Sequence, residues 1–555
     1  MASATPRSRT RSAATTAGIF FLFLSYLLHV LAAGIFAQQR PFSKVDGGGW
    51  WKLLSNSVGI SAMHMQLLPD DTVVMFDRTD TGHSNISLPD GSRCSTDCTA
   101  HSVLFHLSSS SVRPLTILTD TWCSSGTLLS NGTLLQTGGF RDGDRVIRFF
   151  SPSPLSDWVE QPSYLAVRRW YASNQILPDG RVIIIGGRRQ FSGEFFPRDQ
   201  YSASPVFQLS FLVETYDRES EGNLYPFLHL LPDGTLFIFA NDRAIVLDVA
   251  SKRVIRRLPP IPDGQRSYPS SGSSVLLPLR PGAAAEVLVC GGAPLGSYQA
   301  ALNGNFLPAL RSCARIKPSD PEPAWSMEDM PLARVMGDMI LLPTCDVLIV
   351  NGAAAGTAGW ELAREPVLHP VLYRPDLPEG TRFSVLRESQ IPRMYHSTAV
   401  LDTHGRVIVG GSNPHSSYKF TNVMFPTELS LEAFYPPYLL TAAGDRPHVL
   451  SAPAEVGYGE RVAVRFLVAG HFHRSGHQEL EDVEVVALSP GFQTHSVGMN
   501  QRVVVLETSQ TLGQLGGYET EVMTPPSPAV SPPGYYLWFV VHEGVPSKGV
   551  WVRIG

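Results

Sequence analysis

Three residues of types that serve redox metal chemistry stand at one phase of an internal repeat: Cys123, Tyr171 and Tyr395. Each lies five residues before the start of a recurring apolar phrase, and repeats of one unit put equivalent positions at equivalent places in space. A thiol and two phenols from distant parts of the chain are therefore expected to converge on one point. Counting back seven residues from the proline of each phrase, or its counterpart, gives the whole series: Ala62, Cys123, Tyr171, Tyr225, Ser271, Met336 and Tyr395. A single tyrosine at such a phase is ordinary core filling. A cysteine and two tyrosines, with His396 beside the last, are not.

The elements that must position these residues are legible in the phrases themselves. Leu128–Gly139 reads LLSNGTLLQTGG, Ile176–Gly187 ILPDGRVIIIGG, Leu230–Ala240 LLPDGTLFIFA, Leu341–Gly352 LLPTCDVLIVNG and Val400–Gly411 VLDTHGRVIVGG. Leu67–Asp77 is a looser copy, and Leu276–Gly292 is another with a lengthened turn. Each is a strand, a tight Asp-Gly or Asn-Gly type turn, and a second strand ending in small residues. The spacing of roughly 46–65 residues is close to the ~50 of kelch-type propeller blades. Seven phrases predict seven blades, with the inner strand ends at the mouth of a central channel. Helices have almost no support.

Composition agrees with a propeller plus a smaller module. The chain has 555 residues, 17% of them charged, and a net charge of −5. No basic block suggests nucleic acid. Arg7, Arg9 and Arg11 precede an apolar run, Gly18–Ala37, which reads as a secretory signal peptide over 1–37. A signal anchor is the alternative, because the run is long enough to span a bilayer. Asn85 and Asn131 open glycosylation sequons. In an oxidising compartment, Cys94 and Cys98 are close enough to pair, and Cys290 and Cys313 are expected to close a loop outside blade five. Cys345 sits at a turn and reads as a free thiol, which leaves Cys123 unpaired.

The pattern changes beyond a boundary at Asp445. Short β runs at Arg461–Val468, Val483–Leu488, Arg502–Glu507 and Tyr535–Val541 predict a small immunoglobulin-like β-sandwich over 445–555, after a propeller over 38–440. Inside it lies His495, on a loop able to reach into a neighbouring channel.

The motifs ThrTrpCysSerSerGly (121–126), ArgArgTrpTyrAlaSer (168–173), AsnLeuTyrProPhe (223–227), ArgMetTyrHisSerThr (393–398) and ThrHisSerValGlyMetAsnGlnArg (494–502) together resemble the glyoxal oxidase family, aldehyde-oxidising relatives of galactose oxidase. The resemblance covers essentially the whole mature chain. It implies one copper ion held by Tyr171, Tyr395, His396 and His495, with the Tyr171 ring joined to Cys123 by a thioether and able to hold a radical. Tyr395 would be the axial ligand and general base. Substrate and dioxygen would be the only partners, and hydrogen peroxide a product, in a secreted monomer of the extracellular space or cell wall. One departure stands out: galactose oxidase stacks a tryptophan on its thioether, and Arg189 falls at that position here, with Phe191 nearby. Arg189, Tyr225 and Arg266 are expected on the pocket wall. The alternatives are a galactose or primary-alcohol oxidase with the same cofactor, and a catalytically silent kelch-type binding protein. The remaining histidines, His64, His101, His229, His369, His404 and His415, fit no metal spacing.

Overall fold

The computed structural model describes residues 1–2, 48–89, 97–153, 155–198, 204–440, 446–468, 479–514 and 516–555. It divides into two compact units, Met1–Lys44 and Val45–Gly555. Most of the first, and so the expected signal segment, lies outside the described residues. The second unit carries everything below.

Seven antiparallel sheets follow one another along the chain, each with four propeller strands. Each sequence phrase becomes the two inner strands of a blade. In blade three Ala172–Ile176 pairs with Val182–Gly186, in register Ala172↔Gly186 to Ile176↔Val182. The turn between them is closed by the Leu177 N–H on the Arg181 carbonyl at 2.8 Å. Gly180 sits there at φ +78°, a backbone glycine adopts at no steric cost. Both strands are buried along their whole length, because neighbouring blades cover both faces; hence the unbroken apolar run of the second, whereas the first buries Ser173, Asn174 and Gln175. Blade seven is completed by the start of the chain: Trp50–Ser55 pairs with Leu431–Tyr435. That pairing joins the two ends of the ring by backbone hydrogen bonds.

The C-terminal region is a β-sheet domain. Its strands Arg461–Leu467, Val483–Ser489, Arg502–Thr508, Gly517–Met523, Gly534–His542 and Val550–Ile554 include all four expected runs. Arg502–Thr508 bridges its two halves, pairing with Val483–Ser489 along five residues and with Gly517–Met523 through Glu507 and Thr508. Between Ser489 and Arg502 the chain leaves this domain as a hairpin, Phe492–Thr494 with Val497–Met499. The hairpin pairs with the innermost strand of blade one, His64↔Thr494 and Met65↔Gln493. Asn500 Oδ1 accepts the Ile176 N–H at 2.7 Å and Gln501 Oε1 the Leu341 N–H at 2.6 Å. The hairpin thus plugs the channel, tied to blades one, three and six. Blade two makes room for it: a Cβ on Gly126 would lie 2.7 Å from the Phe492 ring.

The expected Cys290–Cys313 bond is present, between direct partners on adjacent strands of blade five, and it closes the connection between those strands. The intervening chain returns beside its own start through a short helix, Ser297–Leu302. Cys123 and Cys345 are buried and free. Cys98 is disulfide-bonded; Cys94 lies outside the described residues. Asn85 and Asn131 are exposed. No helix among the described residues is long and apolar enough to cross a membrane.

Candidate metal centre and its cleft

The repeat phase is visible in the backbone. Cys123, Tyr171, Tyr225, Ser271 and Met336 all have left-handed φ, between +44° and +66°, where a non-glycine residue costs about 1–2 kcal/mol. They mark the sharp turn by which the chain enters each inner strand. They also hydrogen-bond around the mouth: Tyr171 N–H donates to the Cys123 carbonyl and Tyr225 N–H to that of Tyr171, both at 2.9 Å, and Met336 N–H to that of Ser271 at 2.7 Å.

In blade seven the residue with this geometry is His396, at φ +63°, and not Tyr395. The pairing Ser397↔Gly411 is the counterpart of Ala172↔Gly186. The Asp402 N–H bonds the Arg406 carbonyl as Leu177 bonds Arg181. Thr403, rather than Asp402, therefore answers to the proline, and counting from Asp402 lands one residue early.

Five expected residues meet at one point. The ligating atoms of Cys123, His396 and His495 lie within 4.8 Å of one another, and Cys123 Sγ is 3.2 Å from His495 Nε2. The Tyr395 ring stacks on His396 at 3.9 Å between centroids, and His396 lies 4.9 Å from His495. Tyr171 approaches His495 edge-on at 6.1 Å. His495 gets there because Thr494 pairs directly with Val497, leaving a two-residue turn, His495 (φ +48°) and Ser496 (φ +62°). Positive φ at both turn residues matches the right-handed twist of a hairpin.

Burial controls the charges. It pushes His396 and His495 well below the usual imidazole range, so both rings are neutral and carry a lone pair. It pushes the Cys123 thiol and the Tyr171 and Tyr395 phenols well up. His495 Nδ1 is 2.6 Å from Thr494 Oγ1, an arrangement that orients the ring with Nε2 towards the centre. Neither nitrogen of His396 has a partner although both are buried. An imidazole with two orphaned nitrogens is costly, and a metal ion at the centre would engage the one that carries the lone pair. Two imidazoles and two phenols suit tetragonal Cu(II), so the donor set fits one copper ion.

Two neighbours were not anticipated. Tyr268 hydroxyl stands 2.8 Å from that of Tyr395 and accepts from that of Tyr171 at 3.3 Å, linking the two phenols. It lies three residues before the phase position Ser271, so no periodic signal marks it. His64, set aside on sequence, is buried behind the centre, its ring 6.1 Å from His495. Ser124 Oγ and the Phe76 carbonyl engage its two nitrogens.

A cleft of about 480 Å³ opens above the centre, with Tyr171, Tyr268 and Tyr395 on its floor and Trp122, Trp170, Trp360, Arg188 and Arg189 among its walls. Arg189 lines it but does not stack on Tyr171: its side chain is 67% exposed and pairs with Glu221 at 3.0 Å, beside Arg188 on the same carboxylate. The aromatic rings packed on Tyr171 are Tyr268 at 4.7 Å, Trp170 at 4.9 Å and Tyr225 at 5.4 Å. The other two expected wall residues are elsewhere. Tyr225 is buried under the centre, 5.2 Å from the His495 ring, its hydroxyl on the Ser124 carbonyl. Arg266 is buried in the blades, donating to the Gly291 and Pro262 carbonyls and to Ser312 Oγ. It belongs with Arg169, Arg334 and Arg393, each of which donates to a carbonyl at the end of its blade's second inner strand.

Known proteins resemble the chain throughout. Residues 63–438 match the family model described as glyoxal oxidase N-terminus, and residues 446–554 that of the galactose oxidase-like, Early set domain. The chain is 45% identical to the aldehyde oxidase GLOX of Vitis pseudoreticulata, over 92% of its own length and 98% of the relative's. It is 42% identical to the aldehyde oxidase GLOX1 of Arabidopsis thaliana, over 91% and 84%. Among solved structures, a fungal alcohol oxidase of the AA5 family in complex with copper superposes with a TM-score of 0.69 over 91% of this chain and 99% of that one, at 17% identity, a likeness of fold.

Proposed function

The chain belongs to the glyoxal oxidase family, and from that premise we propose that it is a secreted copper-radical oxidase of small aldehydes. In this reading aldehydes of the glyoxal and methylglyoxal type, water and dioxygen give a carboxylic acid and hydrogen peroxide. One copper ion is held by Tyr171, Tyr395, His396 and His495, and Cys123 is joined to the Tyr171 ring through a thioether. Bound copper supplies a Lewis acid and the capacity to take one electron.

The chain's own residues divide the remaining work. An aldehyde hydrate presents a hydroxyl and a carbon-bound hydrogen. Tyr395 takes the hydroxyl proton as general base, with the Tyr268 hydroxyl 2.8 Å away to share it. Tyr171, as a radical softened by the sulfur of Cys123, takes the hydrogen atom from carbon. Trp170, packed beside Tyr171 at the cleft, keeps bulk water off the radical.

The observation that carries this reading is the pair of unpartnered buried nitrogens on His396, beside His495 and the only described buried thiol near it. A peroxide-coupled assay of copper-loaded protein over aldehydes, primary alcohols and galactose tests it. Peroxide is expected with small aldehydes, only with copper, and not from Cys123→Ser. Peptide mass mapping provides a second check. If the peptides bearing Cys123 and Tyr171 run separately after copper loading in air, the radical reading fails. Secretion as a monomer, with 1–37 removed, belongs to the same proposal; a mature N-terminus at Gln38 is expected.

A further inference from the structure

A line of aromatic rings leads from the centre to solvent. The Trp170 ring lies 4.9 Å from Tyr171 between centroids, and Trp122 lies 5.0 Å from Trp170. Trp360 stacks on Trp122 at 5.3 Å with their planes 11° apart. Trp122 is buried and Trp360 is 39% exposed. Trp122 and Trp170 precede blades two and three in sequence. Trp360 comes from the tip of a strand pair inserted in blade six, Ala353–Gly356 with Ala363–Pro366. The stack therefore crosses the channel mouth. Phe140 packs against Trp122 and Trp170 at 5.0 and 4.4 Å, holding the indoles in place. The indole N–H groups of Trp122 and Trp170 are buried without a partner, so hydrogen bonding does not explain the cluster. The Arg78 guanidinium stands 4.0 Å from the centroid of Trp122 and 5.1 Å from that of Trp360, paired with Asp80 at 2.5 Å.

We propose that Tyr171, Trp170, Trp122 and Trp360 form an electron relay through which the radical centre exchanges single electrons with an acceptor in solution that meets the protein at Trp360. The proposal rests on the copper-radical reading above. Tyrosine and tryptophan are the side chains most readily oxidised by one electron, and contacting rings pass electrons readily. As a ligand to bound copper, Tyr171 would already have given up the hydroxyl proton it now donates to Tyr268, so loss of one electron alone would leave a neutral phenoxyl radical. The electron moves outward as each indole in turn is oxidised by its outer neighbour and reduced by its inner one. A one-electron acceptor such as ferricyanide takes it and becomes ferrocyanide. The cation of Arg78 makes an indole cation radical costly on Trp122 and Trp360, so the vacancy settles on Tyr171 and not at the surface.

The test uses copper-loaded holoenzyme, reduced by one electron and mixed with ferricyanide. The rise of the radical is followed by visible absorbance and by electron paramagnetic resonance. In Trp360→Phe and Trp122→Phe the rise is expected to slow by about tenfold or more while the final amplitude stays that of the parent. Trp360→Tyr, which restores an oxidisable ring, is expected to recover most of the rate. A rise at the parental rate in both phenylalanine variants overturns the relay. So does a loss of amplitude that tracks the loss of rate, which marks disturbed packing. If the parent itself shows no radical and no Cys123–Tyr171 crosslink, it is the copper-radical reading that has failed.

Discussion

Arg169 and Arg393 on one side, and His396 on the other, are set by the same repeat, close to the same channel mouth, and all are buried. The arginines are largely satisfied. Arg169 engages Glu194 at 2.8 Å and the Gly186 and Ser192 carbonyls; Arg393 engages Glu432 and the Gly411 carbonyl. His396 has nothing on either nitrogen. Position in a repeat thus places a polar side chain without saying what it is for. The unmet hydrogen-bonding capacity separates a group that holds the blades together from one that waits for a ligand.

The contrast can be broken from either side. His495→Ala removes the imidazole that stands beside His396 in the proposed copper set. Peroxide production is expected to fall by more than ~10³-fold and bound copper to drop on metal analysis, with the melting temperature of the copper-free protein little changed. Arg169→Met acts on the satisfied set and strands Glu194 in the interior; denaturant unfolding should show a loss of about 3–5 kcal/mol. Arg266→Met is the sharper companion. Arg266 has no carboxylate at hydrogen-bond distance, only carbonyls and a hydroxyl, so the expected loss is about 1–3 kcal/mol. A pocket role would instead change KM and leave stability alone.

Smaller effects probe what supports each set. Thr494→Val deletes the hydroxyl at His495 Nδ1 and should weaken copper binding by about 10–100-fold in competition titrations, with the melting temperature held. In blade six, burial raises the Asp338 carboxyl to about 7 from an unfolded value of 3.8. Because the folded value is the higher, the folded state binds the extra proton. This contribution to stability is complete below pH ~4 and is lost as pH rises through ~7. Asp338→Asn keeps an acceptor for Asn351 Nδ2, now 2.7 Å from Asp338 Oδ2. It should flatten that slope and raise stability at pH 8 by about 1–2 kcal/mol.

Much of this was legible in the chain because local rules produce it. The Asp-Gly turns need a glycine in the left-handed region, as at Gly180. The second inner strand of blade three, covered on both faces, is apolar throughout, Val182–Gly186. The paired strands recur once per blade, with Asp71 and Cys345 taking the left-handed turn position in blades one and six, so the number of blades follows. The convergence of Cys123 and Tyr171 follows too, since equivalent residues enter equivalent strands. The one-residue slip at Tyr395 and His396 arose because VLDTHG offers no proline to count from, and only the pairing Ser397↔Gly411 settles the register.

The sequence by itself determined the repeat, the blade count, the turns and the residue types able to bind copper. The motifs tied the chain to its family. Tertiary structure alone decided which of those types meet. It brings His495 in from another domain on a hairpin that pairs with blade one, carries Tyr268 to the two phenols from off the phase, and turns Arg266 inward to a strand end. It also lays Trp360 of blade six over Trp122. Periodicity reports only neighbours within one unit or one phase. The contacts of His495, Tyr268 and Trp360 run between units, where closure of the ring and burial of the hairpin fix the distances; that of Arg266 stays within blade five but off the phase, so no periodic signal marks it.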